Sequence, residues 1–207
     1  QINDSYEGTL IKASNHTLIT QCNVSYNYYG IQIFKHVTAT GGIYDVIIEN
    51  SVFTFNNYTA IKLEPAGSDF VIRTSKFQNN SATKSGGHDI YASYSYETRN
   101  LLIENNEFAN CSYESIYLHR YVRNVTVRHN KFSRDSSNTF LLTLNGEGAV
   151  VYNSTFHGSG LWVSATHSQV YNNSVFGGDL AAGSFSKVYD NHINGGDLSF
   201  SFGEYTE

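Results

Sequence analysis

Apolar and polar residues alternate along this chain in short bursts, and the bursts repeat. The segment VIIENSVFTFNNYTAIKL (46–63) holds an apolar run, an Asn, a Phe three residues on, an Asn-rich turn and a second alternation. LLIENNEFANCSYESIYL (101–118) and AVVYNSTFHGSGLWV (149–163) follow the same plan. Aligned on an apolar residue, a polar residue two later and a large apolar residue five later, the chain divides into eight units. These are Ile19/Gln21/Val24, Ile48/Asn50/Phe53, Ile72/Thr74/Phe77, Ile103/Asn105/Phe108, Val127/His129/Phe132, Val151/Asn153/Phe156, Val170/Asn172/Val175 and Val188/Asp190/Ile193. The units are spaced by 29, 24, 31, 24, 24, 19 and 18 residues, and most carry a second alternation such as Ile31/Ile33, Ile61/Leu63, Ile116/Leu118 or Leu161/Val163.

A period in this range, with strand-type alternation, no 3.6-residue pattern and turns of variable length, predicts a β-solenoid. Leucine-rich repeats fit poorly, because no part of the unit reads as their helical half. In a solenoid, equivalent residues of successive coils lie ~4.8 Å apart, so each repeated apolar position stacks on its own copy. The motif I-x-N-x-x-F, repeated over about residues 10–202, resembles the right-handed parallel β-helix of the pectate-lyase-like superfamily, especially its parallel β-helix repeat members. That resemblance implies an all-β, single-stranded right-handed parallel β-helix of about eight coils, with 1–207 forming one β-helix domain.

Inside and outside are then read from the alternation. The polar series Gln21, Asn50, Thr74, Asn105, His129, Asn153, Asn172 and Asp190 is expected to point inward as a hydrogen-bonded ladder. One position earlier, Thr20, Glu49, Arg73, Glu104, Arg128, Tyr152, Tyr171 and Tyr189 should stack outside, acid beside base and then ring on ring. Cys22 and Cys111 fall about three rungs, or ~14 Å, apart and are expected to be free buried thiols.

Composition narrows the partners. Charged residues make up only 15% of the chain and the net charge is −5, which gives no basis for binding nucleic acid. No apolar run is long enough to span a bilayer. The chain starts at Gln1 with neither Met nor a leader, which fits a mature product or an excised fragment. Nine Asn-x-Ser/Thr sequons favour an exported glycoprotein, extracellular or on a cell or virion surface. Asn3, Asn15, Asn23, Asn57, Asn79, Asn110 and Asn124 are the N-glycosylation candidates, whereas Asn153 and Asn172, placed in the inward ladder, should stay unmodified.

Chemistry is harder to find. The enzymes of the resembled superfamily attack acidic or deoxy-sugar polysaccharides, with a calcium-holding Asp cluster and an Arg base in the lyases, and several Asp plus a Gly-His-Gly segment in the galacturonan hydrolases. The nearest string here is Gly86-Gly87-His88-Asp89, with no paired aspartates beside it. Glu64, Asp89, Glu114 and His119, near the second alternation, are the alternative catalytic set. Tyr91, Tyr117 and Trp162, outward on the same strands as Gln32, Lys62 and Thr143, form a broken aromatic stripe suited to stacking on sugar rings. The eight histidines show no metal-binding spacing, and no cofactor is implied.

Leu18, Ile47, Val71, Leu102 and Val150 precede the buried apolar positions and must face outward, a stripe that suggests an interface. The termini show no cap. The preferred expectation is a non-enzymatic exported β-helix that builds or decorates a filament, surface layer or virion appendage by head-to-tail or lateral self-association. The alternative is a polysaccharide lyase, glycoside hydrolase or glycan-binding adhesin that uses the second-strand face.

Overall fold

The computed structural model describes residues 2–3, 6–12, 15–34, 42–64, 67–81, 86–92, 97–135 and 139–200. Within them the chain winds through three parallel sheets. Each coil gives one strand to each sheet; in the second coil these are Ile43–Glu49, Val52–Thr54 and Thr59–Glu64. The first-strand sheet has eight strands, from Thr17–Thr20 to Lys187–Tyr189. The intermediate sheet has nine, ending at His192–Asn194, and the second-strand sheet nine, from Glu7–Lys12 to Leu198–Phe200. The register follows the sequence units: Ile19, Ile48, Ile72, Ile103, Val127, Val151, Val170 and Val188 pair in succession. Val24, Phe53, Phe77, Phe108, Phe132, Phe156, Val175 and Ile193 do the same in the intermediate sheet.

One assignment is corrected. The polar series from Gln21 to Asp190 does not point inward. Each of its eight members adopts the left-handed conformation, with φ from 49° to 55°, and bends the chain from the first-strand sheet into the intermediate sheet. Asn tolerates this conformation better than most residues because its short polar side chain bonds locally, which explains its frequency there. A left-handed residue breaks the period-two alternation, so the residue after it turns inward. The interior ladder is therefore Cys22, Ser51, Ser75, Asn106, Asn130, Ser154, Asn173 and Asn191. Asn130 Oδ1 accepts from the Asn106 backbone N–H (2.9 Å) and Nδ2 (3.1 Å), and Asn130 Nδ2 donates to the Ile103 and Arg128 carbonyls, both at 2.9 Å. Links of the same kind join Cys22 to Ser51, Ser51 to Ser75, Ser75 to Asn106, Asn130 to Ser154, Ser154 to Asn173, and Asn173 to Asn191. Buried turn amides find their partners in these side chains.

The apolar interior is stacked by type. Phe53, Phe77, Phe108, Phe132 and Phe156 are wholly buried, with successive ring centroids 4.6–4.8 Å apart and nearly parallel planes. Removing such a side chain from water contributes roughly 1.5–3 kcal/mol, and truncating it to Ala costs about 3–5 kcal/mol because a cavity remains.

Outside, the charge ladder forms as the alternation implies. Arg73 Nε lies 2.7 Å from Glu49 Oε2, Arg128 Nε 2.7 Å from Glu104 Oε2, and Arg128 Nη1 donates to the Tyr152 hydroxyl at 2.9 Å. Tyr152, Tyr171 and Tyr189 follow as stacked rings at 4.9 Å. Both cysteines are free; Cys111 is buried and Cys22 half-buried, in different turn columns. In the outward aliphatic row only Leu18 stands well exposed (59%); Ile47, Val71, Leu102 and Val150 are half-buried, each beside its neighbour on the next coil. Asn153 and Asn172 are exposed, as are Asn15, Asn23, Asn57, Asn110 and Asn124, while Asn79 is half-buried. The side chain of Asn3 lies outside the described residues. The expected distinction between turn sequons and ladder sequons is thus removed by the same left-handed bend.

The bend gives a direct test of this inside-outside assignment. Asn130→Ala should destabilise by about 1–3 kcal/mol for each buried group it orphans, whereas Asn153→Gly should be neutral or mildly stabilising, since Gly accepts positive φ without a Cβ penalty. Urea denaturation of the two variants separates the outcomes.

Candidate functional site

The second-strand sheet carries the candidate site on its outer face. Gln32, Lys62, Tyr91, Tyr117, Thr143 and Trp162 follow one another in register along it. This face is recessed: Gln32 is 9% and Thr143 2% exposed, Tyr91 and Tyr117 are half-buried, and only Trp162 (39%) stands out, beside Phe140. At the start of the row, Tyr6, Tyr28 and Tyr58 stack, with the Tyr29 ring edge-on to all three. Burial among these rings pushes the Tyr29 hydroxyl up to about 12. Lys62 Nζ sits over the Tyr29 ring at 4.7 Å and pairs with Glu64 Oε1 at 3.1 Å. Gln32 Nε2 donates to Glu64 Oε2 at 3.2 Å, so the Glu64 carboxylate is held by two neighbours.

The chemistry gathers at the corner that leads into this sheet. Ile90 pairs with Ile116, which places His88 above Glu114 and Asp89 above Ser115. His88 stacks on Tyr91 (5.2 Å) and Tyr117 (5.3 Å), with Tyr113 against its edge. Its Nδ1 faces the Glu114 carbonyl at 3.1 Å and Glu114 Oε2 at 3.6 Å. Burial holds this imidazole down at about 4, so it is neutral at physiological pH, and the carbonyl assigns the proton to Nδ1. Burial raises the Glu114 carboxyl above the usual range. Asp89 is completely enclosed: Asn80 Nδ2 donates to its Oδ1 at 2.8 Å, Ser115 and Cys111 lie against it, and burial pushes it up to about 7. Burial also raises the Cys111 thiol, which makes it a poor nucleophile. His119 lies past the end of Tyr117's strand near Tyr121, lowered by burial and by the neighbouring Arg120 charge.

Buried polar atoms without a hydrogen bond concentrate here. Gln32 Oε1, Thr59 Oγ1, Glu114 Oε2 and Thr143 Oγ1 belong to the outer side of this sheet and its corner, while Arg134 Nε lies just beneath. Each such group costs about 1–3 kcal/mol unless water or a ligand completes it. Among the described residues no group of three or more His, Cys, Asp and Glu side chains converges as a metal site.

A family model described as a right-handed β-helix region matches residues 7–175. The chain belongs to the right-handed β-helix family. Its architecture is also that of the alginate lyase from Paenibacillus sp. str. FPU-7, with TM-score 0.71 and 13% identity over 93% of this chain and 76% of that one. A mutant DFA-IIIase from Arthrobacter chlorophenolicus A6, in complex with DFA-III, gives TM-score 0.58 and 11% identity over 92% of this chain and 45% of that one. No curated protein sequence matches the chain.

Seen on this right-handed β-helix, the four catalytic candidates do not converge. Glu64 stays with Lys62 and Gln32, Asp89 is sealed inside, and Glu114 partners His88 rather than His119. Alternation alone missed His88 as the centre of the aromatic cluster, and Arg134 beneath it. A visible signal existed for the second: Arg134 is a basic residue at a turn where the other coils carry Tyr, Phe, Asn or Gly.

The opposed shifts of His88 and Asp89 predict opposed pH effects. His88, ordinarily near 6.5, favours the fold when neutral, so its contribution is full above 6.5 and lost as pH falls toward about 4. Asp89, ordinarily near 3.8, favours the fold when protonated, so its contribution is full below 3.8 and lost as pH rises toward about 7. Asp89→Asn should therefore leave a stability that climbs with pH between about 4 and 6.5, and His88→Asn one that declines across the Asp89 range. Urea midpoints measured against pH check this; slopes of the same sign would contradict the assignments.

Proposed function

We propose that this β-helix protein binds a polysaccharide along the outer face of the second-strand sheet and acts on it by β-elimination, with Glu114 as the proton-transferring group. The reading is carried by the unpartnered polar atoms gathered on one face beside half-buried aromatic rings. A polyhydroxylated chain offers hydroxyls to those atoms and pyranose faces to Tyr91, Tyr117 and Trp162. The similar folds of an alginate lyase and a DFA-IIIase support a carbohydrate ligand over the assembly role expected from the outward aliphatic row.

Elimination fits the charges better than hydrolysis. Glycosidases need two carboxyl groups roughly 5–9 Å apart across the scissile bond. Glu64 is neutralised by Lys62 and Asp89 is enclosed, so Glu114 is the carboxyl left to act. In a uronate chain, the Glu114 carboxylate takes the proton next to the sugar's carboxylate. The electron pair forms a carbon–carbon double bond, the glycosidic C–O bond breaks, and the departing oxygen receives the proton. His88 fixes the carboxyl's position. This reading takes the protein to be exported, where polysaccharides are met.

Incubation of the full chain with alginate, polygalacturonate and a neutral glucan, followed by ultraviolet absorbance of unsaturated ends, tests the reaction. Glu114→Gln should lower turnover by at least about 10²-fold with binding retained, and Tyr117→Ala should weaken binding first. Full activity in Glu114→Gln, or no binding to any polysaccharide, would overturn the proposal.

A further inference from the structure

The intermediate sheet leads into the second-strand sheet through a column of turn residues. Tyr26, Phe55, Asn79 and Asn110 occupy it in successive coils, with φ from 53° to 60°, and Gly158 continues it with φ 83°. Backbone hydrogen bonds from Tyr26 to Thr54, Phe55 to Gln78, Asn79 to Ala109, Asn110 to Ser133, and Arg134 to His157 set the alignment. In the first coils of this column the left-handed residue faces out and the next residue, Asn27, Asn56, Asn80 or Cys111, is buried. The fifth coil reverses this. Arg134 does not adopt positive φ, its side chain is buried at 9% exposure, and the following Asp135 is exposed.

The guanidinium reaches back under the preceding turn. Nη1 donates to the carbonyls of Cys111 (3.5 Å) and Tyr113, and Nη2 to that of Thr139. The Tyr113 carbonyl belongs to the peptide joining Tyr113 to Glu114. The same short turn is held from outside by His88, whose Nδ1 meets the Glu114 carbonyl. Asp89, Cys111 and Glu114 are the titratable groups whose charges act on Arg134. An arginine at this place costs the burial of a charge, and the carbonyl at Tyr113 needs only one neutral donor. A planar fork that grips several carbonyls supplies rigid geometry in addition to charge.

We infer that Arg134 is a positioning residue for Glu114: from inside the solenoid it clamps the Cys111–Glu114 turn so that the carboxyl is presented beside His88 on the outer face. The inference rests on the reading of Glu114 as the reacting group, yet its geometry is testable without substrate. A filler residue and a positioning residue differ in their effect on the Glu114 proton, because the Arg134 charge draws that carboxyl downward against the rise from burial.

The experiment uses the full chain with Arg134→Gln and Arg134→Lys. Carboxyl carbon NMR follows the Glu114 titration, and amide hydrogen exchange follows the turn against the strands on either side, Glu107–Ala109 and Ile116–Leu118. Arg134→Gln should raise the Glu114 midpoint and speed exchange at Glu114 and Ser115 by about tenfold while the flanking strands stay protected. Arg134→Lys, which keeps the charge but not the fork, should leave the midpoint near wild type and still loosen the turn. An unchanged Glu114 midpoint in Arg134→Gln, or exchange that accelerates equally in the flanking strands, would overturn the inference. Should Arg134→Gln fail to fold, localised turn loosening in Arg134→Lys supports it and unaltered exchange overturns it. A shifted Glu114 midpoint in a protein inert toward every polysaccharide would instead refute the proposed reaction and leave the clamp standing.

Discussion

Parallel backbone pairing between successive coils is the constraint from which the rest of this molecule follows. Because strands pair in parallel and in register, the neighbour of each side chain is its own counterpart one rung away. Like must therefore tolerate like. Phenylalanine stacks on phenylalanine, asparagine donates to asparagine, and glutamate alternates with arginine, each at the rung spacing. A polar residue inside is acceptable only where it can be both donor and acceptor to its copy, which favours the carboxamide over the charged side chains.

That rule also explains where function can sit. A coil that obeys it offers repeated, self-satisfied surfaces with little chemistry. The second-strand face departs from it over the third to fifth coils: an imidazole lies over the Glu114 carboxyl, an enclosed carboxyl over a serine, and an arginine enters the space beneath. These substitutions break the column pattern, leave polar atoms unpartnered and shift ionisation in opposite directions at adjacent residues. Local inconsistency in an otherwise repetitive structure is what a binding site requires, because only unsatisfied groups have something to gain from a ligand.

The shifts share a cause. His88 and Asp89 stand in adjacent positions on opposite sides of one corner, and burial dominates both. Burial removes water from a base on the outer side and from an acid on the inner side, so each is driven to its neutral form. The corner can then be dry without assembling paired charges, and the turn between Cys111 and Glu114 is held by hydrogen bonds to carbonyls from both sides.

How much of this was legible in sequence depends on whether the information is periodic. The spacing of Ile48, Ile72 and Ile103, and of Phe53, Phe77 and Phe108, determined the coils, their register and the outward rows down to Tyr91, Tyr117 and Trp162, because stacking copies a pattern from one coil to the next. Alternation could not reveal the left-handed residue at Asn50 and its equivalents, since a backbone dihedral leaves no mark on a hydrophobic pattern; the interior ladder was displaced by one residue in consequence. Nor could it bring Arg134 under Glu114 or set His88 between two tyrosines, because those contacts arise where one coil departs from its neighbours. The sequence by itself determined a parallel β-helix and its rows. Only the tertiary structure decided which side of each bend faces inward and where the rows fail, for these depend on turn geometry and on contacts between non-equivalent positions.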